Sequence, residues 1–193
     1  MKISARIRAA VLLVFVSVSL PCAAAPSSPR SFVRSLEMEM RAMLRAGDFR
    51  RANLLFAEHF DMATFGRRCL ADHWEELTPA ERERFLDLLE RNIRKRMNEK
   101  MIFTKEDTDF RMVPGKTGVV DGLTKIDNAL KVRRGTIGLD IFLVREGGRY
   151  RVADYDFDGA LLSRNYRGHF NFVMRQYGKG GLFARLEEKL KSE

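Results

Sequence analysis

Between Ile137 and Tyr177 the chain alternates, turns sharply, alternates again and passes into a long amphipathic helix, and this run constrains the fold more than any other. Ile137, Leu139, Ile141 and Leu143 recur at the period of two that a half-buried strand demands. Gly147-Gly148 supplies a tight hairpin, because both positions of such a turn require positive φ. Tyr150 and Val152 then alternate with Arg151 and Ala153. A helix is expected from Asp158, a good capping residue with Gly159 behind it. Leu162, Tyr166, His169, Val173 and Tyr177 follow at helical spacing along one face, and Gly178 is a natural stop. A hairpin that feeds straight into such a helix must lay that helix back on the sheet.

The chain before this junction reads as helices. Phe32, Leu36, Met40 and Met43 mark a first helix ending near Gly47. Asp48 and Asp61 are candidate caps for a second, with Ala52, Leu55 and Phe56 inward, and a third carrying Phe65, Cys69 and Leu70. Thr78-Pro79-Ala80-Glu81 predicts a capping box with proline at the first helical position. Phe85, Leu89, Ile93, Met97 and Met101 then recur every fourth residue, with Leu88 beside them. Phe110 and Met112 lead to a Pro114-Gly115 turn, and Val119 to Ile126 is a further candidate strand. Leu182, Leu186 and Leu190 predict a C-terminal helix after a glycine-rich connector. Helices, then strands, then helices predict an α+β fold, with helices packed on one face of a curled antiparallel sheet.

Lys2, Arg6 and Arg8 precede an apolar run from Ala9 to Leu20 and the small residues Ala23 to Ala25. This is the pattern of a cleaved secretory signal peptide, expected to span residues 1–24. The apolar run is shorter than the ~20 residues that cross a bilayer. Residues 25–193 then form a single domain, with residues 25–30 as a flexible linker. Losing the three basic residues of the leader lowers the net charge from +9 to +6. Cys69 alone then remains, so no internal disulfide is expected, and its apolar neighbours predict a buried, inert thiol. The basic balance suits anionic lipid or a membrane surface, and export argues against nucleic acid.

No metal, cofactor or catalytic residue is assigned from the sequence. His59, His73 and His169 fall in no metal-binding spacing, and Gly178-Lys179-Gly180-Gly181 lacks the strand and the Lys-Ser/Thr of a phosphate loop. Asp154, Asp156 and Asp158 stand near Tyr150, Tyr155 and Tyr166. One of these carboxylates could act as a general base in an apolar cone, although carboxylates spaced near a strand end usually face water.

Val152, Asp154, Gly159, Asn165, Tyr166, Arg167 and Phe170 fall in the pattern VADYDFDGALLSRNYRGHF. Phe60-Asp61, Leu70 with Trp74, and Thr78-Pro79 with Arg82 and Phe85 lie upstream. These motifs resemble the MlaC, or toluene-tolerance auxiliary, family of periplasmic phospholipid-binding proteins. The resemblance spans most of the exported chain, with three departures. Ala71 stands where the family has Gly, Leu161 where it has Ser, and Met97 where it often has Tyr.

The resemblance implies an apolar lipid cavity between sheet and helices, no catalysis and no cofactor. It also implies a shuttle that carries phospholipid between an outer-membrane lipoprotein complex and an inner-membrane ABC transporter, maintaining outer-membrane lipid asymmetry. A carrier of another lipid such as a hopanoid, or a small cone-shaped enzyme with a buried Asp base, are the rival readings. Expected lipid-binding residues are Phe85, Leu89, Ile93, Met97, Leu139, Ile141, Leu143, Leu162, Tyr166 and Val173. From periodicity alone these positions fit a filled core as well as a cavity wall.

Asn92 and Arg96 are candidates for the headgroup. At 100° per residue they lie about 20° to either side of the apolar stripe's centre. A guanidinium there could reach the pocket mouth along an apolar wall. A drifting stripe would instead leave Arg96 in solvent.

Overall fold

The computed structural model describes residues 28–99, 109–133 and 135–191. The expected leader and Met101 lie outside them. Helix α1 (Pro29–Arg45) begins at a capping box in which Ser28 and Ser31 satisfy one another's backbone, with Pro29 at the first position. The last two positions of the expected linker are therefore helical, because the cap sits on Ser28. Asp48 and Asp61 accept from the amides of Arg51 and Thr64 and start α2 (Phe49–Glu58) and α3 (Met62–Leu70), as their positions predict. A 3-10 turn over Ala71–Glu76 leads to α4 (Pro79–Glu99). There Thr78 and Glu81 form the expected capping box, at 2.9 and 3.3 Å.

Ala71 has φ of 48°. Where the family has glycine, the backbone itself needs positive φ, which an alanine adopts only under strain.

Five antiparallel strands follow in sequence order: β1 (Arg111–Val120), β2 (Leu123–Val132), β3 (Gly135–Glu146), β4 (Arg149–Phe157) and β5 (Ala160–Leu161). The sheet is open. Two expectations fail here. Pro114 lies inside β1, at a register shift between Pro114 and Thr117, which an edge strand tolerates because one of its sides needs no ladder bond. The candidate strand Val119 to Ile126 is two strands joined at Asp121-Gly122, whose φ values are 50° and 75°. Gly147 and Gly148, both at positive φ, close the β3–β4 hairpin as expected. His59 and Asp61 pair with Val152 through N–H···O bonds of 2.8 and 2.7 Å, so the α2–α3 link covers part of the outer edge of β4.

The expected start of the last helix is corrected. Asp158 does not cap it: Asp158 and Gly159, at φ of 50° and 85°, turn the chain into β5, and α5 (Leu162–Lys191) starts three residues later. The Asp158 carboxylate instead accepts from the Gly138 amide at 2.7 Å. The first-turn amide of Ser163 is taken by Asp154, from nine residues upstream, at 3.1 Å. Helix α5 breaks at Gly178 (φ 60°, ψ −171°) and resumes at once, so the expected stop is a single-residue kink. Its buried stripe is Phe170, Val173 and Met174, then Leu182, Phe183 and Leu186. Of the face expected before the kink only Val173 is fully buried; His169 and Tyr177 are exposed. The stripe is rotated because the helix packs on α3 and α4 as well as on the sheet.

All five helices share one core with the inner face of β2, β3 and β4. Aromatic edges interlock there: Phe60 meets Tyr155 at 5.2 Å and Phe85 meets Phe170 at 5.6 Å between ring centres. No helix among the described residues is long and apolar enough to cross a membrane.

Candidate functional site

A cavity of about 500 Å³ opens where α4, β4 and α5 meet. Its polarity is graded. Ile93 and Tyr155 are buried, while Met97, Phe157, Leu162 and Tyr166 are half-buried. Arg96, Asn165, His169 and Lys189 complete the lining, and all four are exposed. The site is therefore an apolar wall with a polar, basic rim.

A bulge in β4 shapes the wall. Leu143 pairs with Val152 and Phe142 with Asp154, leaving Ala153 as the extra residue. Strand parity shifts by one there, so Val152 and Tyr155, three apart, both face the main core, while Ala153 joins a small cluster with Leu123 and Phe142. Tyr155 and Phe157 thereby reach the cavity. Extrapolating the alternation of Tyr150 and Val152 would have placed Asp154 and Asp156 there instead. The phase change in Val152-Ala153-Asp154-Tyr155-Asp156-Phe157 was the available signal.

Of the expected wall, Ile93, Met97, Leu162 and Tyr166 line the cavity. Phe85, Leu89, Leu139, Ile141, Leu143 and Val173 are almost wholly buried in the core and lie outside its lining. Asn92 is not at the mouth: its side-chain amide donates to the carbonyls of Leu88 and Leu186, at 2.7 and 2.9 Å, and ties α4 to the end of α5. Arg96 is at the mouth, beside Tyr166. Sequence reasoning did not single out Tyr155, Phe157, Asn165, His169 or Lys189 as site residues.

Burial raises the Tyr166 phenol above its ordinary pKa, opposed by the positive charge of Arg96 and a hydrogen bond to it. Burial alone raises Tyr155. Both phenols are neutral at physiological pH. His169 is shifted down, first by burial and then by Lys189 and Arg185, so its imidazole is held neutral while the charges around it are positive.

Asp154 is fully buried yet does not line the cavity. Its oxygens accept from Arg68 Nε at 3.2 Å, from Ser163 N at 3.1 Å and from Tyr155 N at 3.0 Å. Arg167 in turn donates twice to the Arg68 carbonyl. The signature residues Asp154 and Arg167 thus knit α3, β4 and α5 together behind the cavity. Burial, then the nearby Asp154 carboxylate, raises the Cys69 thiol well above its ordinary range, which keeps it protonated. Among the described residues no group of three or more His, Cys, Asp or Glu is placed to hold a metal ion.

An apolar wall open at a basic rim, between an open antiparallel sheet and two helices, is a shape that suits an amphiphile. The family model of the MlaC protein matches residues 45–188, and the chain belongs to the MlaC family. The fold is similar to that of the phospholipid-binding protein from Ralstonia solanacearum, solved in complex with a phospholipid. The TM-score is 0.65 and the identity 17%, over 86% of this chain and 97% of that one. No curated protein matches the chain in sequence.

Proposed function

We propose that this protein is a periplasmic phospholipid carrier whose acyl tails lie against Ile93, Met97, Tyr155, Phe157, Leu162 and Tyr166. The headgroup then sits at the rim beside Arg96. The observation that carries this reading is the grading of the cavity, buried apolar residues inside and exposed polar ones outside, in a member of the MlaC family. The grading matches an amphiphile end for end. About 30 methylenes left in water cost on the order of 24 kcal/mol, at ~0.8 kcal/mol each. A lipid therefore crosses an aqueous compartment only inside a carrier. The carrier passes phospholipid between an outer-membrane lipoprotein complex and an inner-membrane ABC transporter, and so maintains outer-membrane asymmetry; handover requires docking and no bond chemistry.

The enzyme reading has less support. The buried carboxylate it would need, Asp154, is occupied by Arg68 and two backbone amides and lies off the cavity lining. Organic extraction of the protein purified from cells, followed by mass spectrometry, is expected to return about one diacyl phospholipid per chain. A polycyclic lipid would redirect the proposal to a hopanoid-type carrier. Lipid-free protein that takes up no labelled phospholipid from vesicles would refute it.

A further inference from the structure

Helix α5 carries a charge pattern that neither the core nor the cavity accounts for. From Leu162 to Leu186 the chain holds five basic residues and no acidic one. Two of the five are tied into the fold: Arg167 donates to the Arg68 carbonyl, and Lys179 pairs with Glu81. Arg164 and Arg175 are exposed, and Arg185 places its guanidinium 4.4 Å from the centre of the Tyr177 ring.

The same helix exposes two aromatic rings, Phe172 and Tyr177, each at 55%. At about 3.6 residues per turn, Phe172 stands about 160° round the helix from the buried Phe170, on the side away from the core. Arg164 and Arg175 lie to one side of Phe172, at about 80° and 60°. The cavity-lining residues Asn165 and His169 lie to the other, at about 20° and 60°. The face from Arg164 to Arg175 is about 17 Å long. It is therefore a basic surface with an apolar ring at its centre, and it borders the cavity mouth.

That composition suits a helix lying on an anionic bilayer. Guanidinium groups meet lipid phosphates, and a ring beside them sinks to the level where its apolar body leaves water. The position suits it as well. A bilayer seated on this face lies beside the opening through which an amphiphile has to pass, whereas a protein docked here would stand between that opening and the lipid. We propose that the outer face of α5, centred on Arg164, Phe172 and Arg175, is a docking surface for an anionic lipid bilayer. Docking of this kind goes beyond the carrier reading and is separable from it, because face and cavity are read by different measurements.

The test sediments the purified protein with vesicles of phosphatidylcholine, alone or mixed with phosphatidylglycerol. Binding is expected to the mixed vesicles and to weaken in high salt, because exposed charges are already screened over about 8 Å at physiological ionic strength. A basic residue at an anionic surface strengthens binding about fivefold, so Arg164→Gln/Arg175→Gln is expected to weaken it about 25-fold. Phe172→Ser is expected to weaken it about fivefold, since about half of the ring is left to bury. Lys116→Gln/Lys131→Gln removes the same charge from exposed positions on β1 and β2, whereas α5 packs on β4 and β5. It is expected to leave binding within about twofold of the wild type. All these changes are at exposed side chains, and melting temperatures check that each variant is folded. Absence of binding to the mixed vesicles overturns the proposal. Equal weakening by the two double variants also overturns it, because binding would then follow net charge and not this face. A photoreactive analogue in place of Phe172, irradiated in the cells that produce the protein, is expected to label lipid. A cross-linked protein in its place, another chain or a second copy, would give the face to a protein partner and overturn the proposal. Lipid held in the cavity is weighed on the same samples by mass spectrometry. Vesicle binding by protein that carries no lipid upholds the docking surface while counting against the carrier.

Discussion

The guanidinium of Arg68 and the carboxylate of Asp154 meet at 3.2 Å, with Asp154 fully buried in β4 and bonded to the first turn of α5. Removing one partner of a buried pair strands the other without water or a counter-charge. Here the loss would also free the amides of Tyr155 and Ser163. Asp154→Ala is therefore expected to lower stability by about 3–5 kcal/mol, measured by urea unfolding at neutral pH. A loss below about 1 kcal/mol would place the junction's stability elsewhere, in the range of exposed pairs.

Ala71 holds φ at 48° between α3 and the following turn. A strained alanine at positive φ costs on the order of 1–3 kcal/mol, part of which a glycine returns as extra freedom of the unfolded chain. Ala71→Gly is expected to stabilise the protein by about 1 kcal/mol, read as a higher urea midpoint with an unchanged slope. A lower midpoint would mean that the backbone carries no strain at this position.

Glu81 links the start of α4 to the second half of α5. Its carboxyl is pulled from 4.5 to about 2, first by the hydrogen bond from Lys179 and then by the Thr78 amide. A depressed folded-state pKa contributes stability that is present above the ordinary glutamate value and lost as pH falls toward 2. Lys179→Met is expected to move the Glu81 titration back toward its ordinary value, but not all the way, because the Thr78 amide remains. Carboxyl NMR titration of wild type and variant reads both positions; identical titrations would remove Lys179 as the cause.

Filling the cavity and overfilling the core should give different results. Met97→Trp projects from a half-buried wall position into open volume, and is expected to reduce bound lipid with little change in melting temperature. Ile141→Trp adds bulk to a fully buried site and is expected to cost about 1–3 kcal/mol of stability. Lipid per chain by mass spectrometry and the thermal midpoint, measured on both variants, separate the two effects. Similar stability losses would show that Met97 faces packed atoms and not a void.

Much that is written over about four residues was legible before folding was considered, the turns at Asp121-Gly122 and Asp158-Gly159 excepted. Asp48, Asp61 and Thr78 cap because a short polar side chain beside an apolar run has its helix amides within reach. Gly147-Gly148 turns because only glycine enters that φ region freely, and the unbroken alternation of β3 admits only a half-buried strand. Tertiary contact decided the rest. Asp158 is the good cap on paper, yet the Ser163 amide is taken by Asp154 from nine residues upstream, whose carboxylate also meets Arg68, 86 residues away in the chain. A bulge at one alanine carried Tyr155 and Phe157 to the cavity and left the aspartates off it. A kink at one glycine brought Lys189 to His169. Periodicity records which side of an element avoids water; it holds no record of whether the atoms opposite are packed or absent. Phe85 and Ile93 therefore share one stripe of α4, yet one is core and the other is cavity wall.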